Sequence, residues 1–281
     1  MMRSHRFLLL PVLVLLALTG LAQSLKVMTY NIRYENPGDG ENAWDNRKAL
    51  LFKQIQLAGP DVFGIQEGLV SQVRDLDSVF KEYRHTGVGR DDGREKGEFS
   101  AIYYDQKKLK LLKKGTFWLS PTPAIPSKGW DAACIRICSW GLFAERTAGR
   151  KFWVFNTHFD HVGTEARKNS VTLILAKIRE LNRAGWPVVL MGDFNSGPET
   201  PEIRLLQKEF TDAKSADKSM QMGPDGTFND FNPTQPATER IDFIFTRGLR
   251  AGDYHVIRDS GEKDRFASDH FPVTAVLNWA N

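Results

Sequence analysis

The chain has 281 residues, 41% hydrophobic and 26% charged, with two cysteines and a formal net charge of +4. That balance excludes a disordered chain and a membrane bundle, and so small a charge leaves no electrostatic footprint for a nucleic acid. Two cysteines without close histidine or carboxylate partners are too few for a structural zinc site.

Arg3, His5 and Arg6 precede an apolar run over residues 7–21, with small residues around Gly20 and Ala22. The run is short for a membrane span, so residues 1–22 read as a secretory signal peptide, and residues 23–281 as the exported domain, periplasmic or extracellular. No stable membrane anchor is expected. Removing Arg3 and Arg6 leaves 36 basic against 34 acidic residues, a net charge of +2.

Residues 25–32, LKVMTYNI, read as a strand carrying Asn31 to its end. A loop at 37–42 leads into a helix over 44–57, where Ala49, Leu50, Phe52, Ile55 and Leu57 recur at near-helical spacing before Gly59-Pro60 stops it. A second strand, 61–66, delivers Glu67. Residues 70–80 suit a short helix and 84–97 a polar loop. Strands follow at 98–104 and 109–119, then a proline-rich surface loop at 120–129 and a strand pair at 132–143 and 151–155 that ends in Asn156-Thr157-His158. Cys134 and Cys138 would share one face of the first of these, about 13 Å apart, too far for a disulfide, and are expected as buried free thiols.

Residues 164–181 form an amphipathic helix with Val171, Ile174, Leu175 and Ile178 inward. The apolar run 188–191 is a strand buried on both faces that stops at Gly192, Asp193, Phe194 and Asn195. Loop and short helix run to 210, a polar stretch to 226, and final strands occupy 240–245 and 271–277. Nothing marks a domain boundary, so one domain is expected.

Taken singly, the polar residues at these strand ends are ordinary: GDFN could be a turn, Glu67 a surface acid, His158 a structural histidine. Together Asn31, Glu67, Glu98, His158, Asp193, Asn195, Asp242, Asp269 and His270 recur where strands of a common sheet would end, and they offer oxygen donors suited to a hard cation.

The ordered segments MTYNIR, IQEG, GEFSAIYY, NTHFDH, MGDFN, RIDFIF and SDHFPV resemble the motifs of the endonuclease/exonuclease/phosphatase superfamily, the deoxyribonuclease I-like fold, across essentially the whole mature chain. The resemblance implies an α/β fold: a four-layer α/β/β/α sandwich of two packed mixed β-sheets flanked by helices, the site at one edge. It also implies Mg²⁺ or Mn²⁺ and phosphoester hydrolysis by water, in a group that includes nucleases, deadenylases, inositol-phosphate phosphatases and sphingomyelinases.

By that resemblance Glu67 is the principal metal ligand, with Asn31 and Asp269 in or beside the ligand set. Asn195 donates to the phosphate, and His158 and His270 flank the scissile group, oriented by Glu98 and Asp242. Asp193 belongs to the site as water aligner, base or second-metal ligand. Arg136 is either a phosphate contact or a salt-bridged strand residue. Trp44, Arg47, Trp130 and Asp131 either line a pocket or pack structurally, Asp160 fixes a loop, and His161 has no assignment.

The expected protein is a monomeric, exported, divalent-metal-dependent phosphoesterase acting on a monoester or diester. A secreted nuclease with nucleic acid as its partner, and a phosphate-binding protein without activity, stay open. Lipid substrates rank low because residues 119–130 carry only Ile125 and Trp130 as exposed-hairpin candidates.

Overall fold

The computed structural model describes residues 24–216, 221–258 and 265–279; the expected signal peptide lies outside them. In chain order the first strands are β1 (Leu25–Asn31), β2 (Val62–Gln66), β3 (Tyr83–Thr86), β4 (Ile102–Asp105), β5 (Leu109–Trp118), β6 (Ile137–Glu145) and β7 (Lys151–His158). They continue with β8 (Val188–Asp193), β9 (Thr211–Asp212), β10 (Gln221–Met222), β11 (Asp242–Arg247), β12 (Leu249–Val256) and β13 (Val273–Trp279). The helices are α1 (Trp44–Ala58), α2 (Val70–Val79), α3 (Thr164–Leu181), α4 (Pro201–Gln207) and α5 (Ala213–Ala216).

Two mixed sheets result, one ordered β10-β12-β13-β1-β2-β4-β3 and the other β5-β6-β7-β8-β11-β9. Alternation along each strand divides its residues between two cores. Val27 and Val62 of one sheet meet Val154, Val189 and Ile244 of the other in the central core. Their neighbours Met28, Phe63 and Ile65 pack outward with Leu51, Ile55, Val73 and Leu76 of α1 and α2. Phe155, Leu190 and Phe243 likewise pack with Val171, Ile174 and Ile178 of α3 and Ile203 and Leu206 of α4. Sheets covered on both faces need continuous apolar strands, which is why these segments do not alternate with polar residues. The expected four-layer α/β/β/α sandwich is the observed one.

One polar residue ties the layers together. Asn156 on β7 is fully buried between the sheets. Its Nδ2 donates to the carbonyls of Ile65 and Ala101, both at 2.9 Å, and its Oδ1 accepts from Gln66 Nε2 at 2.7 Å. Gly64 makes room for it, since a Cβ there would lie 2.4 Å from Asn156 Oδ1. Asn156→Ala should deprive the Ile65 carbonyl of its Asn156 donor, while the Ala101 carbonyl keeps the Ile65 amide and Gln66 Nε2 keeps Thr29 Oγ1; at about 1–3 kcal/mol for a buried group left unsatisfied, urea unfolding should show a loss of that order with the m-value unchanged.

Strand directions gather the polar strand ends at one edge. β1 and β2 run parallel with Asn31 opposite Gln66, and β7 and β8 run parallel with His158 opposite Asp193. β11 is antiparallel to β8 and pairs Asp242 with Asp193, so it begins where β8 ends. β13 is antiparallel to β1, which brings the preceding Asp269 and His270 to that same edge.

Three local expectations change. Residues 83–86 form β3 on the sheet edge, paired with β4, although Arg84-His85-Thr86 begins the stretch that reads as polar loop. β12 is an additional strand whose alternation is interrupted by a register shift between Ala251 and Tyr254. Residues 132–136 precede β6 rather than belonging to it, so Cys134 is half-buried; Cys138 alone is a buried thiol, and burial pushes its pKa far up.

Candidate active site

The strand ends converge on a half-open cavity of about 740 Å³ whose lining includes Glu67, Glu98, Arg136, His158, Asp193, Asn195, Asp269 and His270. Asn31 and Asp242 stand behind this lining as hydrogen-bond partners of its members. Five lining residues hold left-handed backbone without being glycine, among them Glu67 at φ 65° and Asn195 at φ 46°. Such conformations cost about 1–3 kcal/mol each and persist where surrounding structure imposes them. Gly192, at φ 148°, permits the approach of β8 to β7 just before Asp193: a Cβ there would sit 2.0 Å from the Thr157 carbonyl oxygen.

Asn31 bridges two acids. Its Nδ2 donates to Glu67 Oε1 at 3.0 Å and to Asp193 Oδ2 at 2.9 Å, while its Oδ1 accepts from the Arg33 amide at 3.0 Å. Glu67 Oε2 accepts from the Tyr34 amide at 3.1 Å. Asp269 is buried, with Arg33 Nε 3.9 Å from its Oδ2 and the Ser268 hydroxyl donating to its Oδ1 at 3.2 Å. Burial raises the Asp269 pKa and the negative Glu67 adds to the rise. Asp193 is also pushed up, to about 7, by burial, with His270 opposing and Asp242 reinforcing the shift. Carboxylates so placed gain from a neighbouring cation, and their donor set, oxygen throughout, suits a hard one.

The two histidines are held in different protonation states. His270 Nδ1 donates to Asp242 Oδ2 at 2.8 Å, and its Nε2 lies 3.8 Å from Asp193 Oδ2. Burial disfavours its charge, yet Asp242 and Asp193 outweigh burial and hold its pKa well above the usual histidine range. His158 goes the other way: burial first, then the Arg136 guanidinium, keeps its pKa well below that range. A guanidinium can only donate, so the 2.8 Å contact from Arg136 Nη1 makes His158 Nδ1 the acceptor and leaves the proton on Nε2.

That Nε2 lies 3.4 Å from Asp193 Oδ2 and 3.1 Å from Asn195 Nδ2. The Phe159 carbonyl accepts from Asn195 Nδ2 at 2.9 Å and so fixes which end of the amide faces His158. Two N–H donors therefore crowd one point, a receptor for an anionic oxygen.

This arrangement alters the expected partners. Glu98 Oε2 is 3.8 Å from His158 Nδ1 and accepts instead from Arg90 Nη1 at 2.5 Å, with Arg136 Nη1 at 3.6 Å. Arg136 stands between Glu98 and the ring, so the residue that orients His158 is Arg136, whereas Asp242 does contact His270. The Arg136 guanidinium also reaches His161, whose Nδ1 is 3.2 Å from its Nη2, and it lines the cavity. Arg136→Gln should release His158 to titrate upward toward pH 6.5, measurable in the imidazole carbon-bound proton resonances; an unmoved titration would contradict this account.

Of the four residues expected either to line a pocket or to pack, Trp44, Arg47 and Asp131 are structural, whereas Trp130 is exposed. Trp44 Nε1 donates to Asp75, Arg47 donates to the carbonyls of Asn42, Ile32, Ala267 and Arg33, and Asp131 accepts from Glu165 and Ala166 at the start of α3. Trp130 lies outside the cavity lining. Asp160 fixes its loop by accepting from the amides of Ala133, Cys134, Val162 and Gly163. His161 joins the cavity rim. The sequence reading missed Arg33, Asp39, Asn42, Arg90, Asp230, Phe231 and Glu239, all of which line the cavity; Arg33 follows Asn31 by two residues, the spacing of one strand face, and was the one with a visible signal.

Buried acid–histidine contacts and an oxygen-rich set of side chains thus gather at the shared edge of the two sheets. The chain belongs to the endonuclease/exonuclease/phosphatase family, whose model matches residues 28–270. A crystal structure of a family protein from Bacteroides thetaiotaomicron is similar at 38% identity and a TM-score of 0.87, over 92% of this chain and 99% of that one. A mannosyl-6-phosphatase of Bacteroides thetaiotaomicron is similar at 37% identity and a TM-score of 0.87, over 91% of this chain and 100% of that one. An uncharacterised protein of Acanthamoeba polyphaga mimivirus is 29% identical over 166 residues, covering 54% of this chain and 59% of that protein. The chain thus spans little more than half the length of that curated relative, and 40% of the length of a second from the same virus.

Proposed function

We propose that this protein is an exported, divalent-metal-dependent phosphomonoesterase that hydrolyses a small phosphorylated compound by water attack. The observation that carries the reading is the convergence of His158 Nε2, Asn195 Nδ2, Asp193 Oδ2 and His270 Nε2 at separations of 3.1–3.8 Å on one cavity. Likeness along almost the whole chain to a protein described as a mannosyl-6-phosphatase favours a monoester over a polymer. Export rests on the sequence of residues 1–22. Among the described residues no helix is long and apolar enough to cross a membrane.

Glu67 and Asp269 would hold the Mg²⁺ or Mn²⁺, with Asn31 steadying Glu67 beside it. Such a cation neutralises phosphoryl charge and assists departure of the alcohol. The protein's own groups do the rest. His158 Nε2–H and the Asn195 amide donate to one phosphoryl oxygen, and the His270 cation, kept charged by Asp242, donates to another. Asp193 accepts the proton of the attacking water as its oxygen bonds to phosphorus. The phosphorus–oxygen bond to the alcohol breaks, and the alcohol takes its proton from solvent.

A panel of mannose 6-phosphate, p-nitrophenyl phosphate, bis-p-nitrophenyl phosphate and DNA, each with Mg²⁺, Mn²⁺ or chelator, tests the reading. Metal-dependent turnover of the monoesters above the diesters is the expected result. Silence across the panel would overturn it in favour of a phosphate-binding protein, and faster DNA cleavage would favour a nuclease. Mass spectrometry of the purified exported form should place its first residue near 23.

A further inference from the structure

A second group of metal-ligating side chains stands at the cavity, apart from the acids of the hydrolytic centre. Among the described residues two sets of three bring ligand atoms within 4.8 Å of one another. One is Asp193, Asp242 and His270, which the hydrolytic chemistry uses; the other is Cys134 Sγ, an Asp160 carboxylate oxygen and a His161 ring nitrogen. Cys134 and His161 both line the cavity, and Asp160 is buried. Distance in sequence hides the set, since Cys134 precedes β6 and the other two follow β7.

Asp160 builds the arrangement. Its Oδ1 accepts from the Ala133, Val162 and Gly163 amides at 3.1, 3.0 and 2.7 Å, and its Oδ2 from the Cys134 amide at 3.0 Å. One side chain thereby fixes the segment that carries Cys134 against the segment that carries His161. Burial would raise the Asp160 pKa, but these amides prevail and hold it down to about 2, so the carboxylate is charged at neutral pH. Three bonds fill Oδ1, whereas Oδ2 keeps a lone pair for a further partner.

We propose that Cys134, Asp160 and His161 form a second metal site, one that takes Zn²⁺ rather than Mg²⁺, and that filling it inhibits hydrolysis by way of Arg136. The donor set selects the ion. Thiolate and imidazole suit zinc and are poor ligands for Mg²⁺, which the oxygen-only set around Glu67 suits instead. Atoms bound tetrahedrally to one zinc stand roughly 3.5 Å apart, so side chains already within 4.8 Å need close by only about an ångström. The Cys134 thiol gives its proton to solvent on binding. Arg136 opposes the ion, with Nε 3.8 Å from Asp160 Oδ2, but thiolate and carboxylate supply two negative charges against it.

The same guanidinium makes the site inhibitory. Arg136 Nη2 is 3.2 Å from His161 Nδ1 and can only donate, so that nitrogen is the acceptor and Nε2 carries the proton. Either nitrogen can therefore ligate zinc only by breaking this contact: Nδ1 directly, and Nε2 because its proton would move to Nδ1, facing another donor. Arg136 Nη1 meanwhile donates to His158 at 2.8 Å. An ion that displaces the guanidinium from His161 disturbs the group that orients His158. Inhibition rests on the hydrolytic reading above; binding does not.

The test titrates Zn²⁺ into wild type, Cys134→Ser and His161→Ala during p-nitrophenyl phosphate hydrolysis at saturating Mg²⁺, each variant being compared with itself without zinc. Wild type should be inhibited with a midpoint that further Mg²⁺ does not move. Both variants should raise that midpoint at least about tenfold, the lower end of what even an outer-shell partner contributes. Equilibrium dialysis against Zn²⁺ in excess Mg²⁺ gives a readout free of catalysis: wild type should retain one zinc more than Cys134→Ser, and Arg136→Gln should bind that zinc more tightly than wild type. Co²⁺ in place of zinc should show thiolate-to-metal charge-transfer absorption that Cys134→Ser lacks. Equal zinc content in wild type and Cys134→Ser, equal midpoints, or a midpoint that climbs in step with Mg²⁺ would overturn the proposal and leave the hydrolytic reading intact. Absence of turnover on every ester would overturn that reading and the inhibitory role with it, while dialysis and cobalt absorption still decide the site.

Discussion

Asp193→Asn is expected to lower kcat on phosphate monoesters by about 10²–10⁴-fold, the usual contribution of a positioned general base, without destabilising the fold. Asp193 is the junction of the site: its Oδ2 is 2.9 Å from Asn31 Nδ2, 3.4 Å from His158 Nε2 and 3.8 Å from His270 Nε2. Its Oδ1 accepts from the Asn195 amide at 2.9 Å, so the acid also sets the turn that carries the Asn195 carboxamide to the cavity. Burial already works against its charge, so a neutral isostere removes that penalty and thermal stability should hold or rise. The discriminating measurement is kcat together with melting temperature. Near-wild-type turnover at saturating Mg²⁺ would remove Asp193 from any essential role.

Asp242→Asn is expected to have a comparable effect by a different route. Asp242 is fully buried and accepts from His270 Nδ1 at 2.8 Å, and its charge is the leading cause raising the His270 pKa against burial. Without it the ring loses its proton at lower pH, so the alkaline limb of the kcat profile should move down the pH scale and activity at neutral pH should fall by about 10²-fold or more. The same coupling has a stability consequence. His270 has its pKa raised on folding, so its contribution is fully present below about pH 6.5, the unfolded value, and is lost as pH rises through the folded value. The variant should therefore lose more stability at pH 6 than at pH 9, a trend that urea titrations at the two values would show.

What made the site legible in the sequence was position rather than residue type. Asn31, His158 and Asp193 each close an apolar strand that is buried on both faces, and a polar residue at such a place has only the sheet edge to occupy. Parallel pairing of β1 with β2 and of β7 with β8 then gathers those ends. Asp242 was rightly paired with His270, but the partner of His158 was not legible. Glu98 and Arg136 both reach the His158 region, and the choice between them is made by side-chain packing that brings Arg136 Nη1 to 2.8 Å and leaves Glu98 at 3.8 Å. β12 escaped notice because its register shift breaks the period of two between Ala251 and Tyr254. β3 escaped because an edge strand tolerates the polar residues that otherwise signal a loop. Asp230 and Glu239 went unnoticed as cavity lining for a related reason: they sit in a stretch of Asn, Asp, Pro and Thr whose composition says only turn and loop.

The claim on which the rest depends is that the convergent edge is a metal-dependent hydrolytic centre. It is tested most directly by stripping the enzyme with chelator and titrating Mg²⁺ back while following p-nitrophenyl phosphate hydrolysis, for wild type and Glu67→Gln. Wild-type activity should vanish on stripping and return along a saturable curve, whereas Glu67→Gln should need at least about tenfold more Mg²⁺. Hydrolysis that survives complete metal removal, or a Glu67→Gln curve superimposable on wild type, would contradict it.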